Sequence, residues 1–217
     1  MFDLLIKALV AYALGTIMGG QIVGLLRGGI DLRRLGSGNV GATNALRTQG
    51  KAFALGVLLI DVLKGVIAAL AVPRLLVPGI ASAEFELATY VCGVAVVLGH
   101  CYPATYGFKG GKGVATLAGV YGAVLTIALP WLLGVFVLTI LMTGYASLAT
   151  LMATLIAVLY VTCYSAAGLF SWLGGFTLAM AALVCWKHRD NIRRLLRGDE
   201  HRFERARVLG RMLDRWR

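Results

Sequence analysis

"VATLAGVYGAVLTIALPWLLGVFVLTILMTGYASLATLMATLIAVLYVTCYSAAGLFSWLGGFTLAMAALVCW", Val114 to Trp186, runs for 73 residues without one charged side chain. A soluble domain cannot leave so long a stretch uncharged and still cover its surface. A helix needs about 20 apolar residues to cross the hydrocarbon core of a bilayer, so the run holds several spans. Pro130, Thr143 with Gly144, and Ser165 to Gly168 are its natural breakers. They divide it into spans near 114–128, 131–143, 147–164 and 169–186. A re-entrant pair in this crowded half is the alternative reading. Upstream, a first apolar run covers about 4–26 and stops at Arg27; a second covers 52–72 and ends at Pro73; a third covers 83–99. The expectation is an all-α integral membrane protein, a seven-transmembrane-helix bundle forming a single membrane domain over residues 1–217. Composition agrees: 59% of residues are hydrophobic, 14% are charged and the mean hydropathy is +0.81. Asp3 and Lys7 lie inside the first run and no small-residue cleavage site follows it, which speaks against a cleavable signal.

The net charge of +11 is unevenly placed. Eleven of the 21 Lys and Arg residues lie from Lys187 onward and five more between Arg27 and Lys51. With seven spans, segments 27–51, 100–113 and 187–217 share one side. They carry 18 basic residues, against Arg74 alone in the opposite connections. Positive charge collects on the cytoplasmic side, so the N-terminus is expected outside and the C-terminus inside. Because each basic cluster abuts an apolar run, anionic lipid and not nucleic acid is the expected partner. In the tail 187–217, Leu209, Met212, Leu213 and Trp216 form an apolar stripe among arginines, as in an interfacial helix. The four cysteines, Cys92, Cys101, Cys163 and Cys185, have neither C-x-x-C nor metal-ligand spacing.

All the polar motifs fall in the three cytoplasmic segments. "GSGNVGATNALRTQG", Gly36 to Gly50, begins with the G-x-G-x-x-G pattern of dinucleotide sites. That pattern needs a preceding strand and a βαβ unit, which a transmembrane run excludes. Glycines still let backbone N–H groups converge on an anion, and Arg47 adds a planar fork suited to phosphate. A Gly-rich turn followed by a helix cap is the plainer alternative. "GHCYPATYGFKGGKGVAT", Gly99 to Thr116, places Lys109 and Lys112 around glycines directly before a helix, a second anion site. It lacks the Walker A glycine and Ser/Thr, so nucleotide triphosphatase activity is not expected. Anchoring at the membrane surface is the alternative for the lysines, and a helix C-cap for His100. In "KHRDNIRRLLRGDE", Lys187 to Glu200, His188 and Asn191 share a helix face. Asp61 and Lys64, three residues apart inside the second span, are expected to pair.

Taken together, these stretches resemble the bacterial membrane glycerol-3-phosphate acyltransferases that use acyl phosphate, the PlsY family. The first motif is carried by Gly36, Ser37, Gly38, Asn39, Gly41, Ala42, Thr43, Asn44 and Arg47. The second is carried by Gly99, His100, Pro103, Gly107, Phe108, Lys109, Gly110, Gly111, Lys112, Gly113, Ala115 and Thr116. The third is carried by His188, Arg189, Asn191, Ile192, Arg194, Leu195, Gly198 and Glu200; Asp61, Lys64 and Gly65 fit as well. Thr16 and Met18 stand where the family has Ser and Pro.

The resemblance implies transfer of an acyl group from acyl phosphate to the 1-hydroxyl of glycerol 3-phosphate, giving lysophosphatidic acid and phosphate. The site would lie on the cytoplasmic face of the bacterial inner membrane, with membrane lipid around it and no obligate protein partner. Ser37, Arg47, Lys112, His188 and Asn191 are the expected catalytic residues. Asn39, Thr43, Asn44, His100, Lys109, Gly110, Gly111, Gly113, Thr116 and Glu200 are the expected substrate contacts. No cofactor or metal is expected, since no carboxylate cluster invites magnesium. The proton acceptor is either substrate phosphate or His188. No base stands beside Ser37 in sequence, so a covalent acyl-enzyme is disfavoured. No H-x-x-x-x-D motif follows any histidine, which argues against the acyl-CoA-dependent class. The competing class is a transporter of anionic metabolites, in which Asp61 and Lys64 would dominate; no inverted repeat supports it.

Overall fold

The computed structural model describes residues 1–214, and among these there is no strand. The chain separates into two compact units, Met1–Leu125 and Thr126 onward.

In the first unit, α1 (Phe2–Gly15) and α2 (Gly19–Leu26) replace the single first helix expected over 4–26. The chain between them is extended at Met18. The cause is tertiary. Lys64 Nζ donates to the carbonyls of Gly15 (3.0 Å) and Ile17 (2.7 Å), and Asp61 Oδ1 accepts from Gly19 N–H at 3.2 Å. An open backbone inside a membrane span needs such partners, because hydrocarbon offers none. α3 (Ala42–Gln49) and α4 (Lys51–Leu70) meet at Gly50, whose φ of +85° lets the chain turn without a Cβ clash. A 3-10 turn containing Pro73 follows α4. α5 (Phe85–Cys101) and α6 (Val114–Val124) complete the unit.

Small residues let these helices touch backbone to backbone. A Cβ built on Gly99 would lie 2.2 Å from Tyr12 O, fixing the α1–α5 crossing. One on Gly65 or Gly119 would lie 2.1 Å from Thr116 O or Val62 O, fixing α4 against α6. Asp3 and Lys7 form a buried ion pair of 2.8 Å on α1, and Asp3 Oδ2 also accepts from Ala83 N–H at 2.8 Å. The N-terminal turn and the connection before α5 are thereby tied together.

In the second unit, α7 (Leu129–Thr143), α8 (Ala146–Tyr164) and α9 (Trp172–Lys187) are separated where the breakers stand. Pro130 lies in the first turn of α7, where its missing N–H costs nothing, and Gly144 ends that helix with φ +78°. α10 (Arg189–Arg197) is followed by Gly198 at φ +79°. α11 (Val208–Asp214) does not stand alone: a Cβ on Gly210 would lie 2.2 Å from Met142 O. Arg202 Nε donates to Thr143 O at 2.8 Å and Phe203 N–H to Gly144 O at 2.9 Å, capping the carbonyl end of α7. Leu209, Met212 and Leu213 of the expected apolar stripe are exposed; Trp216 lies outside the described residues.

Among the described residues, four stretches are long and apolar enough to cross a membrane: Phe2–Leu26, Lys51–Arg74, Phe85–Tyr106 and Ala146–Tyr164. Val114–Val124, Leu129–Thr143 and Trp172–Lys187 are shorter apolar helices. Leu5, Leu9, Leu55, Leu59, Leu63, Leu133, Val137, Leu155 and Leu159 point outward, as lipid-facing side chains should.

Candidate active site

The first glycine loop is built around Asn44. This buried side chain accepts from Ser37 N–H at 3.0 Å and donates to the carbonyls of Leu32 (3.2 Å), Leu35 (2.9 Å) and Asn39 (2.8 Å). Its carboxamide is thus engaged by the loop, although the sequence placed it among the substrate contacts. Gly36 and Gly38 take positive φ values of 55° and 71°, which lets the chain fold tightly over α3. Ser37 and Thr43 are exposed, while Asn39 and Arg47 are half-buried. Asp31 caps the 3-10 turn Leu32–Arg34 and pairs with Arg33 at 2.8 Å. The Arg33 guanidinium beside it lowers its carboxyl to about 2. Arg33 also stands 5.3 Å from the ring centroid of Tyr106, so the first and second loops lie at the same end of this unit.

The second loop turns between α5 and α6. Pro103 O accepts the N–H groups of Tyr106 (3.1 Å) and Phe108 (2.9 Å), and Phe108 holds a left-handed φ of 61°. For a non-glycine residue that conformation is costly and points to a loop whose shape is imposed. Gly111 N–H then donates to His100 O at 3.1 Å, and Gly113, with φ +77°, starts α6. The first N–H groups of a helix have no intrahelical acceptors, and Lys112 is half-buried just before them. Lys109 is exposed. His100 Nδ1 stands 2.8 Å from Lys64 Nζ. Thr116 is fully buried where α6 crosses α4. The expected ion pair is present, Lys64 Nζ to Asp61 Oδ1 at 2.9 Å, with His100 as a third member the sequence did not place there.

In the second unit, His188 sits at the joint of α9 and α10, and Asn191 lies one turn on; both are buried. His188 Nδ1 is 2.8 Å from Val184 O. A carbonyl can only accept, so Nδ1 carries a proton, and Nε2 is the one ring nitrogen that could act as a base. Glu200, expected at the substrate, is engaged by its own surroundings. It accepts from Ser147 Oγ (2.9 Å), Asn191 Nδ2 (2.6 Å) and Arg194 Nε (2.7 Å). Burial alone would raise its pKa; these three donors outweigh that and hold it below the usual glutamate value. Asn191 therefore has its amide group oriented by Glu200. Among the described residues no group of three or more His, Cys, Asp and Glu is placed to hold a metal.

A helical membrane protein with glycine loops and cations at its helix ends is suited to handling anionic substrates at a lipid surface. A family model described as glycerol-3-phosphate acyltransferase matches residues 5–198. The glycerol-3-phosphate acyltransferase of Aquifex aeolicus is 44% identical over 203 residues, spanning 89% of this chain and 95% of that one. Its counterpart from Geobacter sulfurreducens is 40% identical over 204 residues, covering 94% of this chain and all of the other. A crystal structure of PlsY (YgiH), an integral membrane glycerol 3-phosphate acyltransferase, in its glycerol 3-phosphate form superposes with a TM-score of 0.80 at 41% identity. It covers 95% of this chain and 98% of that one. The lysophosphatidic acid form of PlsY gives the same TM-score at 39% identity. The chain belongs to the glycerol-3-phosphate acyltransferase family, and it is an integral membrane acyltransferase of phospholipid synthesis.

Proposed function

We propose that this enzyme transfers a fatty acyl group from acyl phosphate to the 1-hydroxyl of glycerol 3-phosphate. The hydroxyl oxygen attacks the acyl carbon, the bond from that carbon to the phosphate oxygen breaks, and the hydroxyl proton passes to a base. Lysophosphatidic acid and inorganic phosphate result. The observation that carries this reading is the loop 110–113: a half-buried lysine among glycines, directly before the N-terminus of α6. Support also comes from the PlsY structures, one in a glycerol 3-phosphate form and one in a lysophosphatidic acid form. Those two compounds differ by one acyl group.

Acyl phosphate is an activated anhydride, so positioning and charge neutralisation supply the catalysis. Lys112 and the backbone of Gly110, Gly111 and Gly113 hold one phosphate, and Ser37 and Arg47 neutralise developing charge. Asn39, Lys109 and Thr116 belong to the substrate-binding set. Thr43, His188 and Asn191 place glycerol 3-phosphate. The proton goes either to Nε2 of His188, whose Nδ1 is committed to Val184 O, or to substrate phosphate. Asn44, His100 and Glu200 act from behind the site, through the groups they hold. The proposed topology has seven spans, the N-terminus outside, and all three polar segments on the cytoplasmic face of the inner membrane.

The test is phosphate release and lysophosphatidic acid formation by detergent-solubilised protein given acyl phosphate and glycerol 3-phosphate. Absence of acyl transfer overturns the proposal. Lys112→Ala should lower kcat/KM by about 10²-fold or more while the protein still elutes as a folded species. A His188→Gln variant that keeps most of the rate would move the proton to substrate phosphate.

A further inference from the structure

Asp61 and Lys64 are buried in the first unit with side-chain exposures of 1% and 3%. A buried ion pair of this kind is no net stabiliser by itself, and charges within a membrane span mark a role. Lys64 Nζ has three protons and four close neighbours. They are Gly15 O at 3.0 Å, Ile17 O at 2.7 Å, Asp61 Oδ1 at 2.9 Å and His100 Nδ1 at 2.8 Å. His100 Nδ1 lies 3.5 Å from Asp61 Oδ1 but 2.8 Å from the ammonium, so Nδ1 accepts from Lys64 and Nε2 carries the ring proton. The Nε2 edge of the ring supports the second loop: a Cβ on Gly111 would lie 2.2 Å from Nε2, and one on Gly110 2.1 Å from His100 O. No side chain separates the loop from His100.

The cluster also touches the support of the first loop. Asp61 Oδ1 accepts Gly19 N–H, the first residue of α2, and the next residue, Gly20, packs with its would-be Cβ 2.2 Å from Val40 O. Val40 stands between the glycines of the first loop.

We propose that Asp61, Lys64 and His100 are positioning residues that seat the two glycine loops relative to one another, acting through Gly19–Gly20 on one and Gly110–Gly111 on the other. This rests on the assignment of those loops to the two phosphate substrates. The cluster touches backbone and not substrate, so its loss weakens binding of both phosphates more than it slows the bound complex.

The test has two arms. In a double-mutant cycle, Gly111→Ala forces a methyl onto the His100 ring, whereas His100→Ala removes that ring. Gly111→Ala should raise a substrate KM by about tenfold in the natural background and by less than about threefold in His100→Ala, because residues in contact are not additive. Lys64→Met should raise KM for both substrates with a smaller loss of kcat. Equal cost of Gly111→Ala in both backgrounds, or a loss confined to kcat, overturns the proposal. The second arm is independent of turnover. Nitrogen-15 NMR of labelled histidine in the resting detergent-solubilised protein should show His100 with Nδ1 unprotonated and Nε2 protonated, its line assigned through His100→Ala. A protonated Nδ1 overturns the proposal. Failure of acyl transfer in the natural protein would instead remove the functional reading and leave the ring signature as the measure of the cluster.

Discussion

The Asn44 carboxamide meets four backbone groups with both its acceptor and its donors, which a hydroxyl or carboxylate cannot do. Asn44→Ala leaves Ser37 N–H and three carbonyls to find water, at about 1–3 kcal/mol for each buried group left unpaired. Asn44→Asp keeps the acceptor for Ser37 N–H but turns a negative oxygen toward three carbonyl oxygens. Thermal unfolding in detergent at neutral pH should therefore rank the natural protein above the alanine variant and that above the aspartate variant. An aspartate variant as stable as the alanine one would remove Asn44 as the organiser of the loop. The sequence showed that this Asn belonged to the polar segment because Asn, Gly and Thr are unusual beside a span. It could not show which of those polar groups faces inward. That depends on the positive φ values at Gly36 and Gly38, which fold the three carbonyls onto one side chain.

Elements are held in the second unit by the same means. Glu200 ties α10 to the start of α8 through Asn191, Arg194 and Ser147. Its folded pKa lies below the ordinary value of about 4.5, so the stability it contributes is complete above that value. That contribution fades as pH falls through the lower folded pKa. Glu200→Gln should flatten this acid limb of a thermal-stability profile and lower stability at pH 7, where the natural carboxylate is ionised. An unchanged acid limb would show that the three contacts do not stabilise the charge. The boundaries of α7 in this unit were legible because their causes are local: Pro130 and Gly144 act on their own turns. The break between α1 and α2 was not, because its cause lies on α4. Uninterrupted apolar character reads as one helix until Lys64 and Asp61 claim the Gly15, Ile17 and Gly19 backbone groups.

Across the whole molecule, contacts inside each unit constrain which connections share a side of the bilayer. Asp3 bonds to Ala83 N–H, and the proposed first and second spans lie between them. Arg33 faces Tyr106 across the second and third spans, and Arg202 holds Thr143 O across the sixth and seventh. An even number of crossings separates each pair in the proposed seven-span topology, which is what a real contact requires. In the proposed topology the basic Arg33 and Arg202 ends are the cytoplasmic ones. Single cysteines placed in a cysteine-free background test both statements. A membrane-impermeant maleimide applied to intact spheroplasts should label Ser82→Cys and Ser165→Cys, and should reach Thr105→Cys and Arg197→Cys only after permeabilisation. Labelling of positions 105 and 197 from opposite faces would separate Lys112 from His188 by the bilayer. The phosphate held at Lys112 and the glycerol 3-phosphate placed by His188 could not then lie in one site, and the acyl-transfer mechanism proposed for these residues would be lost whatever the sequence similarity.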